Sequence, residues 1–199
     1  MGNVFRHLLA AIAAALLLAG CAGTYLLDNQ VQTFSQLPPL TSPPTFRFER
    51  TLSQQADPAH PALEDLADPA LFRAGLRRDD AAPRYSVQVN ARTEQVVSPY
   101  YDPYWGPWGW GAGWGPWGRH GGANAAWNNF DSYWFRREVS VVIRELPANR
   151  VVYETHAFND GPLLDNRVVL PAMFDAAMQG FPNPPPGPRR VDIQLGAKS

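Results

Sequence analysis

Cysteine is nearly absent: Cys21 is the only one in 199 residues. A single thiol has no partner within the chain, so a disulfide framework is excluded. Histidine is scarce too. His7, His60, His120 and His156 are the full set, and no two stand at a metal-ligand spacing such as H-x-x-x-H. We therefore expect no metal and no cofactor. No G-x-S-x-G elbow and no Walker-type phosphate loop occurs, and no serine carries a local signature. Catalysis is not expected; a hydrolase with an unrecognised site is the residual alternative. Neither sign of charge dominates, with 17 basic against 18 acidic residues. Without a basic stripe, nucleic acid is not expected as a partner. Long apolar runs are missing as well. Leu8 to Ala19 is uncharged for twelve residues, short of the roughly 20 a membrane-spanning helix needs.

That short run is informative because of its flanks. Arg6 and His7 precede it, and Leu18-Ala19-Gly20-Cys21 closes it, the charge, apolar stretch and small-residue exit of a secretory signal peptide. Small residues before a lone cysteine resemble a bacterial lipobox. The resemblance implies that residues 1–20 are removed, that the Cys21 thiol is diacylated and that Cys21 is the mature N-terminus. A plain buried thiol is the bland alternative, and the position of Cys21 at the end of the run argues against it. Acylation would also remove a free thiol from an oxidising compartment, and two acyl chains anchor stably where one does not. Ala22 and Gly23 follow, with none of the Asp that favours inner-membrane retention in enteric-type bacteria. This implies a place at the outer membrane, on its periplasmic face.

Twenty prolines and sixteen glycines punctuate the remainder. Residues 21–44 read as a Pro-rich tether, with Val31 to Phe34 as a brief strand. Residues 45–199 read as one α+β domain with a Gly/Trp-rich insertion at 99–130. Thr45 to Arg50 alternates and reads as a strand. Ala62 to Ala74 has helical spacing, and Asp68-Pro69 either kinks that helix or starts it. Tyr85 to Arg92 alternates cleanly, and the strand extends towards Val97. Arg137 to Leu146 and Val151 to Phe158 flank Pro147-Ala148-Asn149-Arg150 as a hairpin. Leu170, Met173, Phe174, Ala177 and Phe181 form one helical stripe between Leu164 and Gly180. Val191 to Leu195 is a closing strand. The expected fold is α+β: a mostly antiparallel sheet with two helices packed on one face, in the order β-α-β-(Trp/Gly loop)-β-β-α-β. Glu64, Asp65, Asp79 and Asp80 read as solvated helix ends and turns, and Asp160 and Asp165 as capping residues. His156 falls on a strand face with Val152, Glu154 and Phe158.

The order of these pieces resembles a family of bacterial envelope lipoproteins, the one carrying the domain of unknown function numbered 4136. The residues that carry the resemblance are the lipobox, Phe46-Arg47-Phe48, the strand Tyr85 to Ala91, the Gly/aromatic insertion Tyr100 to Gly122, the hairpin ending Val151-Val152-Tyr153, and the helix leading into Phe181-Pro182. The first hairpin strand departs from the family's Glu-Gly-Thr-Leu-like stretch and reads Arg137-Glu138-Val139-Ser140. The family brings no activity with it.

The insertion holds the unusual chemistry. Trp105, Trp108, Trp110, Trp114 and Trp117 lie within thirteen residues, with Tyr104 beside them. Interleaved Gly and Pro forbid a regular helix and discourage a central strand. Indoles suit a protein hot spot, the headgroup zone of a membrane or the face of a sugar ring. Against these stands the plain reading of a low-complexity loop covering its own sheet. The expected function is a lipid-anchored envelope module for binding, assembly or maintenance. Its partners would be the membrane through the anchor and an envelope protein. The alternative is a glycan-binding module that stacks these tryptophans on peptidoglycan or lipopolysaccharide.

Overall fold

A computed structural model describes residues 25–38, 40, 42–98, 133–163 and 165–196. The chain divides into two compact units, Leu27–Ile193 and a terminal one of Met1–Leu26 with Gln194–Ser199. The described elements run in the order β1 (Tyr25–Ser35), β2 (Thr45–Phe48), α1 (Leu52–Ala56), α2 (His60–Arg73), β3 (Arg77–Arg78), β4 (Tyr85–Val97), β5 (Tyr133–Glu145), β6 (Arg150–Gly161), α3 (Asn166–Met178) and β7 (Arg189–Leu195). The stretch expected as tether thus holds an 11-residue strand.

The expectation of a mostly antiparallel sheet with two packed helices is overturned. The sheet is mixed and seven-stranded, in the order β3-β2-β4-β5-β6-β1-β7. β2 pairs in parallel with both β3 and β4, while β4–β5, β5–β6 and β1–β6 are antiparallel. Three helices stand among the described residues. The physical reason lies between β2 and β4. Parallel neighbours need a crossover of a dozen or more residues, and α1 and α2 provide it. Alternation of apolar and polar side chains reports which face a strand buries, and carries no information on strand direction.

One face of the sheet supplies the core. Val87 and Val89 on β4, Val139, Val141 and Ile143 on β5, and Tyr153 and Ala157 on β6 are all buried. α2 packs on β4, α3 packs on β5 and β6, and the two helices meet each other. Of the predicted stripe, Leu170, Met173, Phe174 and Ala177 are buried on α3, with Val169, Ala172, Ala176 and Met178 beside them, while Phe181 falls after the helix and is half-buried. A helix apolar on nearly every side belongs inside. Asp165 caps it by accepting from Arg167 N, which satisfies one of the open donors of the first turn. Pro171 and Pro69 both lie inside their helices, so the second helix is continuous through Asp68-Pro69. α1 buries no residue and is held by a capping box between Thr51 and Gln54.

Candidate functional site

The residues marked by sequence as functional are Cys21 and Tyr104, Trp105, Trp108, Trp110, Trp114 and Trp117. All lie outside the described residues. What the structure places is their support. β4 and β5 pair without interruption from Tyr85↔Glu145 to Val97↔Tyr133. The insertion therefore leaves and re-enters the fold at adjacent positions on two central strands. Val97 and Tyr133 are 71% and 52% exposed at that point.

Three polar clusters invite inspection as chemistry. His156 sits on the face of β6 turned away from the core. One ring nitrogen, Nδ1, lies 3.1 Å from Glu138 Oε1, and the other, Nε2, lies 2.9 Å from Glu154 Oε1. Carboxylates only accept, so both contacts are hydrogen bonds only when both nitrogens carry protons. Burial works to lower the His156 pKa. Hydrogen bonds and charge from Glu154 and Glu138 outweigh it, and the net direction is up. The ring also stacks on Phe158. Val152 does not share this face as expected. A register shift between Ile143 and Arg144 leaves it out of the ladder, and it is buried, as a bulge allows.

The second cluster joins the chain just after β2 to α2. Arg50 donates from Nε and Nη2 to the two oxygens of Glu64, each at 2.6 Å. Glu64 was expected as a solvated helix residue and is instead 3% exposed. A carboxylate so deep needs a partner, and the bidentate guanidinium supplies it. The Arg50 pKa is raised, first by that hydrogen bond. His60 Nε2 lies 3.6 Å from Glu64 Oε1, beyond a hydrogen bond, and is buried without one.

The third cluster centres on Arg137, fully buried on β5. It donates to Asn166 Oδ1 at 2.8 Å and to Leu163 O, and its guanidinium packs over the Phe135 ring. These bonds tie the β6–α3 connection to the middle of the sheet. Asn166 in turn donates to Thr93 Oγ1. Between this cluster and α1 lies an open cleft of about 370 Å³, lined by Gln54, Asp57, His60, Asn90, Thr93 and Asn166 among others. Most of its polar groups are already engaged. Gln54 holds Thr51 N and Val89 O, and Asp57 holds Ala59 N. Among the described residues, no group of three or more His, Cys, Asp or Glu is arranged to hold a metal ion. Of the two expected caps near α3, Asp165 caps the helix and Asp160 pairs with Arg136. Asp79 is a turn residue as expected and accepts from Ala81 N and Ala82 N. Sequence reasoning missed the half-exposed Arg50 and the buried Glu64 and Arg137, since a charged residue in a polar-looking position carries no mark of burial. All three clusters knit elements together.

The family model described as "Domain of unknown function (DUF4136)" matches residues 30–183. No curated protein matches the chain in sequence. Similar solved structures include a PelC dodecamer from Paraburkholderia phytofirmans, 10% identical over 79% of this chain and 99% of that one, with a TM-score of 0.47. A variant of that dodecamer with one leucine replaced by methionine is 11% identical over 75% and 94%, at 0.43. A PDZ domain protein from Parabacteroides distasonis is 15% identical over 86% of this chain and 38% of that one, at 0.46. The match over residues 30–183 spans most of the sheet and α3, and the chain belongs to the DUF4136 family.

Proposed function

We propose that this DUF4136 member is a lipid-anchored module of the bacterial cell envelope that binds or assembles other envelope components and performs no covalent chemistry. The observation that carries the reading is the lone Cys21 at the end of a short apolar run with Leu18-Ala19-Gly20 before it. The outer membrane, on its periplasmic side, is the proposed location. Among the described residues no helix is long and apolar enough to cross a membrane, so attachment in this reading rests on the acyl chains. The binding element is the Trp-rich segment, offered from two paired central strands. A rigid scaffold presenting a variable loop is a common arrangement for recognition.

The test is Cys21→Ala. Loss of the acyl mass, with an uncleaved or soluble product, is the expected outcome. Normal membrane fractionation of the variant would overturn the lipoprotein reading. Crosslinking in the native envelope followed by mass spectrometry then identifies what the module binds. The density of indoles favours one second reading, a glycan-binding module. Isothermal titration of the mature protein with muropeptides decides between them, since heat of binding is expected only for the second.

A further inference from the structure

Strand register brings four chain segments to one end of the sheet. Val97 of β4 pairs with Tyr133 of β5, and Phe135 of β5 pairs with Gly161 of β6. β1 runs antiparallel to β6 with Gln30 opposite Phe158, and Asn159 Nδ2 donates to Asp28 O at 2.7 Å. The start of β1, the end of β4, the start of β5 and the end of β6 therefore share this end. The turn at Pro147-Ala148-Asn149 lies at the other. From Tyr133 to Glu145 the strand advances about 40 Å at ~3.4 Å per residue.

We propose that this end of the sheet faces the membrane that holds Cys21, and that the lipid–water interface is its partner. The inference deepens the proposed function and rests on the lipoprotein reading. Chain length carries the first part of the argument. Leu27 is the sixth residue after Cys21, a stretch that spans at most about 20 Å fully extended. The start of β1 is thus held near the headgroups, and the far turn stands beyond the reach of that linker. Surface chemistry carries the second part. Val97 and Tyr133, paired across β4 and β5, are both exposed here. Exposed apolar and aromatic side chains grouped at one place ask for cover, and tyrosine is favoured where hydrocarbon meets headgroups. Among the described acids here, Asp160 lies 3.4 Å from Arg136, Glu94 lies 3.8 Å from Arg92, and Asp28 and Asp192 share Arg190 at 3.0 and 2.9 Å. Val97 and Tyr133, the described residues that flank the five clustered tryptophans in sequence, both lie at this end.

The test uses the full lipidated chain in vesicles of phosphatidylethanolamine and phosphatidylglycerol that contain a headgroup-nitroxide lipid. Acylation blocks Cys21, so an introduced cysteine is the single labelling site. Val97→Cys reports the near end and Ala148→Cys the far turn, each carrying a fluorophore. Tyr133→Cys is a second near-end probe should Val97→Cys misfold. Acyl mass and vesicle flotation are measured first. Several-fold stronger quenching at Val97 or Tyr133 than at Ala148 is the expected result. Acylated, floating protein with equal quenching at both ends, or stronger quenching at Ala148, overturns the orientation and leaves the lipoprotein reading standing. Protein without acyl mass that fails to float overturns both.

Discussion

At the scale of single residues, titration reads out the packing. His156 is raised in pKa: burial works to lower it, and Glu154 and Glu138 outweigh the burial. A histidine raised on folding contributes stability that is complete below its unfolded pKa of about 6.5 and is lost as pH rises through the folded value. Denaturant unfolding is therefore expected to weaken from pH 6 towards pH 8, and His156→Gln to remove that slope. The side chains are partly exposed, so the change is small, under about 1 kcal/mol. An identical slope in the variant would show that the pair of carboxylates holds no proton on His156. Tyr153 behaves in the opposite range. Burial pushes its phenol up to about 12, with the Arg189 charge pulling the other way and Thr33 helping slightly. Thr33 makes no well-formed hydrogen bond to the phenol oxygen, which is buried without a partner. An acid raised on folding stays neutral in the native state while the unfolded chain ionises from about pH 10. Stability is expected to fall by about 1–3 kcal/mol between pH 10 and 12, and Tyr153→Phe to flatten that fall at little cost near pH 7. A full alkaline loss in Tyr153→Phe would assign it to other groups.

At the scale of elements, α3 is the keystone, since Phe174 is 1% exposed and its helix packs on both β5 and β6. Phe174→Ala is expected to cost about 3–5 kcal/mol, the usual loss for a buried aromatic. A change below about 0.5 kcal/mol, the size seen at exposed positions, would mean the helix does not pack there. This helix was legible because its stripe is apolar at every third or fourth residue. β4, β5 and β6 were legible because one face of each is polar. β1 was not. Its buried positions are Leu27, Asn29, Val31 and Thr33, and two polar residues among four hide the alternation. Both bond inside: Asn29 Nδ2 donates to Leu27 O and Val191 O while its Oδ1 is buried without a partner, and Thr33 shares a hydrogen bond with Thr155. β3 is two arginines with no hydropathy signal. α1 buries nothing, and its one readable mark is the Thr51–Gln54 capping box. The parallel pairing had a signal as well, since strand, helix and strand in succession favour a crossover between parallel neighbours. The tie from Arg137 to the start of α3 had none, because a charged residue on an alternating strand looks like a solvent-facing one.

At the scale of the whole molecule, the question is whether the Trp-rich insertion is part of the fold or attached to it. The β4–β5 ladder reaches Val97↔Tyr133 without it, and the strands beneath are buried by α2 and α3. Deleting Tyr104 to Gly118 shortens a connection whose closure entropy changes by only about 0.6 kcal/mol per doubling of length. The thermal midpoint is therefore expected to stay where it is, as is the cooperativity of unfolding. What should be lost is association: fewer envelope crosslinks from a protein that remains acylated and folded. The pairing of those two readouts matters, because a destabilised protein also loses partners. Retained crosslinks at an unchanged midpoint would move recognition away from the tryptophans and onto the described surface. Loss of the cooperative transition would make the indoles part of the core, and a chain that spends five tryptophans on its own stability needs no partner to cover them.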